Sequence, residues 1–151
     1  MKKLFLLSMV LFLTVSASGH GGVTKEILKQ LFPEAGNFVN RQKSLTAQQI
    51  SKVERDSGDV LQGADKNLSL YVAVGKDPET GKMRSIGAVL MVDARGSSGA
   101  IDLIVAYNLD GSVKKVLVAE NKDDKALESA SFLGQFEGKG LSDSWDPAKD
   151  F

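Results

Sequence analysis

A chain of 151 residues and 16.2 kDa has the length of one ordinary domain, and 42% hydrophobic with 25% charged residues is the composition of a globular protein with one core. Nineteen basic against nineteen acidic side chains leave no excess charge for a phosphate backbone, and the aromatics are too sparse for a single-strand stacking platform, so nucleic-acid binding is not expected. The absence of Cys excludes disulfides, thiolate zinc sites, Fe–S clusters and Cys nucleophiles, and the single His20 supplies neither a His-rich metal centre nor a triad base, so redox chemistry would have to be borrowed from an organic cofactor.

Residues 1–19 place Lys2 and Lys3 before an apolar run from Leu4 to Val15, followed by the small residues Ser16, Ala17, Ser18 and Gly19. This is the pattern of a secretory signal peptide, with cleavage expected after Ala17 or Gly19. Crossing a hydrocarbon core takes about 20 apolar residues, so the shorter run reads as a leader rather than a retained anchor. Its removal takes two lysines and no acid, leaving a net charge of −2 on a single domain over residues 20–151 whose expected location is the periplasm.

From Val23 to Phe32, Val23, Ile27, Leu28 and Leu31 recur at helical spacing behind Thr24 as N-cap, and Pro33 stops the pattern. A second helix begins at Ser44 or Thr46, where Thr46 and Gln49 form a capping-box pattern, and carries Ile50, Val53 and Ser57 on one face before Gly58. Beyond Leu68 the period becomes 2. Strands are expected over 70–74, 85–92, 100–107 and 113–119, joined by the turn Lys76 to Lys82, the Gly-rich loop Asp93 to Gly99 and the turn Asn108 to Ser112. In the third, Ile101, Leu103, Val105 and Tyr107 share one face and Asp102, Ile104 and Ala106 the other, so both faces are expected to be at least partly covered. Glu120 to Lys125 reads as a charged loop, and Ala130 to Phe136 as a short helix with Phe132, Leu133 and Phe136 on one side. The fold class is therefore α+β: an antiparallel four-stranded meander with two N-terminal helices and a short C-terminal helix.

The stretch Asp93 to Glu120, together with Phe132-Leu133-Gly134-Gln135-Phe136-Glu137-Gly138-Lys139, resembles the FMN-binding domain family, found in the G subunit of the Rnf electron-transport complex and the C subunit of the sodium-pumping NADH:quinone reductase. The likeness covers roughly residues 68–150. In that family a Gly-rich loop leads into a strand beginning with Ile, an Asp-Gly turn leads to a strand ending near a Glu-Thr pair, and a Phe-Leu-x-Gln-Phe-x-Gly-Lys segment follows. The resemblance implies an exported flavin domain serving electron transfer, with a membrane electron-transport complex as partner. The family attaches FMN by a phosphoester to the last Thr of a Ser/Thr-Gly-Ala-Thr motif beyond that segment. Here no Thr follows Thr80, Ser98-Gly99-Ala100-Ile101 has Ile at the acceptor position, and Glu120-Asn121-Lys122-Asp123-Asp124-Lys125 lacks the glycines of the family's loop. The expectation is FMN bound without a covalent link.

The positions matching the family's flavin-side segments are Arg95, Gly96, Gly99, Glu120 and Asn121. Gly96 and Gly99 let backbone approach a ring or phosphate, Arg95 is a bidentate phosphate donor, and Glu120 and Asn121 can bond a ring edge. Each has a plainer reading as a turn glycine, a surface arginine or a solvated loop residue. Phe136 and Trp145 can stack on a flavin or serve as core. Asp143, Asp146 and Asp150 miss the EF-hand spacing, so no metal is expected. The competing functional reading is a non-redox accessory module docking on a membrane redox complex. A cofactor-free secreted enzyme is the third, held back because no nucleophile and base constellation is present.

Overall fold

A computed structural model describes residues 22–58, 60–63, 65–140 and 142–143. The leader stretch with its Ala17 or Gly19 cleavage point, His20, Trp145, Asp146, Asp150 and Phe151 lie outside the described residues.

Thr24 caps the first helix, α1 (Lys25–Leu31), its side chain accepting from the Ile27 amide, and the helix ends at Phe32 ahead of Pro33. The apolar side of α1 continues into the chain that leaves it, so Leu28, Leu31, Phe32 and Ala35 are buried together. The second helix, α2 (Ala47–Ser57), carries the complete capping box of Thr46 with Gln49 and ends on Gly58 at φ 78°, where a Cβ would be strained. It buries no residue, and Val53 is 41% exposed.

The sheet has five strands rather than the four expected, in the order β1 (Asn37–Ser44), β2 (Asn67–Lys76), β3 (Met83–Arg95), β4 (Ala100–Asn108), β5 (Val113–Asn121), each antiparallel to its neighbour. The additional strand is β1, whose residues Asn37-Phe38-Val39-Asn40-Arg41-Gln42-Lys43-Ser44 include only two hydrophobic side chains. It sits at the sheet edge, so pairing with β2 rather than burial makes it a strand, and Arg41 and Lys43 discourage further edge pairing. This also corrects the placing of both helices before the sheet, because α2 lies in the connection between β1 and β2.

The turns behave as their residues dictate. The Asp77 carboxylate accepts from the Glu79 and Thr80 amides at 2.9 and 2.8 Å while Gly81 takes φ 66°. Gly111, at φ 86°, closes the turn between β4 and β5. A short 3-10 turn (Lys125–Glu128) and the helix α3 (Ala130–Gly134) follow β5. The chain then pairs Gly138 and Lys139 against Val113, both bonds at 2.7 Å.

Register places Phe38, Ala73 and Gly87 in one row, Tyr71, Val89 and Ala106 in the next, and Met91, Ile104 and Leu117 in a third. All but Gly87 belong to the main core under α1 and Phe32 or pack against it. Gly87 is bare so that the Phe32 ring can lie on it: a Cβ there would stand 2.4 Å from Phe32 Cζ. Lys114 Nζ lies 4.1 Å from the centre of the same ring and donates to Glu34 at 2.7 Å, which holds the Glu34 carboxyl below its ordinary value. The other face carries Leu70, Leu90, Val105 and Val116 in register, and the smaller cluster there, Val105, Val113 and Val116, is packed by Leu133 and Phe136 from the α3 side.

Candidate functional site

Because β4 is apolar on both faces, the residues that do not enter the main core line a second hydrophobic space. Ile101, Leu103, Val105 and Tyr107 project from β4, Val113 and Val116 from β5 and Ala94 from the end of β3. Leu127 from the 3-10 turn, with Phe132, Leu133 and Phe136, supplies the opposite wall. They enclose an apolar groove of about 320 Å³. Phe132 and Phe136 meet edge to face, with ring centres 5.6 Å apart and planes at 80°, which stiffens that wall.

Of the eleven lining side chains only Tyr107 carries a polar atom. Burial raises the Tyr107 phenol above its ordinary value, so at neutral pH it is a donor. Gln135, next to Phe136 in the chain, has its side-chain nitrogen buried without a hydrogen-bond partner among the described residues. A rise of about 3.4 Å per residue puts Tyr107 roughly 20 Å from Ile101 along β4, so Tyr107 and the Gly-rich loop lie toward opposite ends of that strand.

At the loop end the backbone of Arg95 pairs with Ala100, and the Gly96 amide donates to the Gly99 carbonyl at 2.8 Å. The anion acceptor facing this loop is Asp123, whose carboxylate takes the Ser98 amide at 2.8 Å, the Gly99 amide at 3.3 Å and the Asp124 amide at 2.7 Å. The Ser98 amide first, then the other donors, hold the Asp123 carboxyl below its ordinary value. Glycine is required because the loop after β5 comes so near: a Cβ on Gly96 would stand 1.8 Å from Asp123 Oδ2, and one on Gly99 would stand 2.3 Å from the Lys122 carbonyl.

Asn121 organises the same loop, donating to the Asp124 carbonyl at 2.9 Å and to Glu128 at 3.0 Å and accepting from the Asp123 amide. Glu120 pairs with Lys122 at 3.1 Å and stands opposite Asp102. Gly96, Gly99, Glu120 and Asn121 are thus gathered at one end of the sheet, and none of the four lines the groove.

Sequence reasoning placed Phe132, Leu133 and Phe136 on one side of a helix and Ile101, Leu103, Val105 and Tyr107 on one face of a strand, but did not single out Tyr107, Leu127 or Asp123 for a site. The available signal for Tyr107 was its place at the end of the apolar alternation Ile101, Leu103, Val105. Nothing local marks Asp123 as the acceptor for the Gly-rich loop, because the two loop amides it takes are 24 and 25 residues away. Among the described residues no group of three or more His, Asp or Glu is placed to hold a metal ion, and no helix is long and apolar enough to cross a membrane. Comparison with protein-family models, curated proteins and solved structures finds no match to this chain.

Proposed function

We propose that this chain is an exported FMN-binding domain serving electron transfer, with the flavin ring held without a covalent link in the apolar groove. The supporting observation is convergence. The three segments that resemble FMN-binding domains bound a single groove: Ala94 and Ile101 flank the Gly-rich loop, Leu103 to Val116 come from the hairpin, and Phe132, Leu133 and Phe136 belong to the Phe-Leu-x-Gln-Phe segment. Its volume of about 320 Å³ is near the lower end of small-molecule sites, which run from about 300 Å³ upward, and suits a ring system better than a whole nucleotide. Of the five positions, Arg95 closes β3, Glu120 and Asn121 close β5, and Gly96 and Gly99 lie in the loop between β3 and β4, all at the same end of the sheet.

A second reading, an accessory module without cofactor that docks on a membrane redox complex, is favoured by the polarity of the lining. A flavin ring carries several nitrogen and oxygen atoms, and the groove answers them with one hydroxyl. Micromolar affinity needs about −8.2 kcal/mol from contacts alone, so binding is expected in the micromolar range or weaker. Fluorescence titration of FMN with the purified protein separates the readings. Quenching that saturates, with flavin released on denaturation, supports the flavin domain. No quenching at about 100 μM supports the accessory module. Flavin that migrates with the denatured chain overturns the non-covalent assignment.

A further inference from the structure

We infer that the groove recognises a neutral planar ring with a carbonyl acceptor and is indifferent to phosphate. The inference rests on the flavin reading above and specifies which part of the ligand is bound. Two independent features carry it.

The first is the lining. No charged side chain lines the groove, and the one lining side chain with a polar atom is Tyr107, whose hydroxyl no other described residue engages. Hydrocarbon walls reward a flat apolar ring by area removed from water, and a lone phenol rewards one acceptor on that ring. A dianionic phosphate drawn into the same space would lose its hydration with nothing to replace it.

The second is the state of the neighbouring loop. The amides of Ser98 and Gly99, the backbone donors that could cradle a phosphate at the loop end, already hold the chain's own Asp123 carboxylate. Residues 120–128 bring four acids, Glu120, Asp123, Asp124 and Glu128, against Lys122 and Lys125. A phosphate arriving there has to displace Asp123 and then sit in an acidic field. The loop therefore offers no attraction for the ligand's tail.

The test titrates the full exported chain with FMN, with riboflavin, which lacks the phosphate, and with lumiflavin, which lacks the whole ribityl phosphate tail. The expected dissociation constants agree within about threefold, and that of FMN is unchanged between low and high salt because no surface charge pair is made. FMN binding tenfold or more tightly than riboflavin overturns the inference and leaves the flavin reading standing. Failure of all three to bind at about 100 μM removes the flavin reading, and this inference with it. Tyr107→Phe is expected to weaken all three ligands equally, by about three- to tenfold, with the thermal midpoint serving as the check on folding. Unchanged affinity in a folded Tyr107→Phe protein overturns the role given to the phenol.

Discussion

Replacing Gly87 with alanine places a methyl carbon 2.4 Å from Phe32 Cζ, 2.5 Å from Phe32 Cε1 and 2.5 Å from the Tyr107 carbonyl oxygen. Ordinary carbon contacts lie at about 3.5–4.0 Å, so something has to move by more than 1 Å. The ring has nowhere to go: Phe32 is 0% exposed, packed among Leu28, Leu31 and Ala35, with the Lys114 ammonium at its face. The carbonyl is held in the pairing between β3 and β4. Overpacked cores lose about 1–3 kcal/mol, and with backbone as one of the two obstacles we expect a loss near 3 kcal/mol. For a domain with total stability of about 5–15 kcal/mol and a urea slope of about 1–3 kcal/mol per M, that lowers the unfolding midpoint by about 1–3 M.

The ring and the carbonyl can be separated by a double-mutant cycle. Phe32→Ala alone should cost about 3–5 kcal/mol as a large buried ring is lost. In the Gly87→Ala background it should cost at least 1 kcal/mol less, because the new methyl occupies space the ring has vacated. A Gly87→Ala midpoint within error of the parent protein would refute the packing argument. Strict additivity would refute the assignment of the ring as the main obstacle.

Thr46→Ala removes the acceptor of the α2 capping box and should cost that helix about 1 kcal/mol. Since α2 buries nothing, the loss should appear as faster amide exchange over 47–57 with little change in the global unfolding midpoint. Gly99→Ala, whose Cβ would meet the Lys122 carbonyl, should separate the two loops and raise exchange at Ser98 and Asp124 by tenfold or more, while β1 and β2 remain protected. Asp123 has its carboxyl pKa lowered in the folded state, so it stabilises above its unfolded value of about 3.9 and loses that contribution as pH falls through the folded value. The stability difference between the parent protein and Asp123→Asn should accordingly be constant at neutral pH and shrink on acidification below about pH 4, read by urea titrations across pH. A difference independent of pH would show that the carboxylate charge is not what the loop uses.

Much of the architecture is written locally. Thr24 and Pro33 bracket α1, the Thr46 and Gln49 pair starts α2, Gly81 and Gly111 take the positive φ that their turns require, and the two-faced alternation of β4 announces cover on both sides of the sheet. What was hidden depends on partners far along the chain. β1 has the composition of a loop and becomes a strand through β2, some 30 residues later. The loop glycines Gly96 and Gly99 read equally well as a cradle for a ligand or as clearance for a neighbouring loop, because either use demands the same missing side chain. Only the position of Asp123 distinguishes the two.

The groove follows from a mismatch of dimensions. On one face, α1 and the segment through Ala35 spread over rows contributed by all five strands, leaving Ala73, Val89, Ile104 and Ala106 essentially inaccessible. On the other, α3 has five residues, which at about 1.5 Å each extend only about 7.5 Å, whereas five strands at about 4.8 Å spacing are about 19 Å across. A helix of that length covers two strands, and it stands over β4 and β5 because the chain reaches it directly from β5. Leu70, Val72 and Leu90, on the same face but beyond its reach, stay half-buried, and Val92 is 38% exposed. A longer α3 would cover more of this face and leave less of the groove open. The shortness of α3 therefore leaves an apolar space at the seam between helix and sheet, where aromatic side chains from one segment face aliphatic side chains from another.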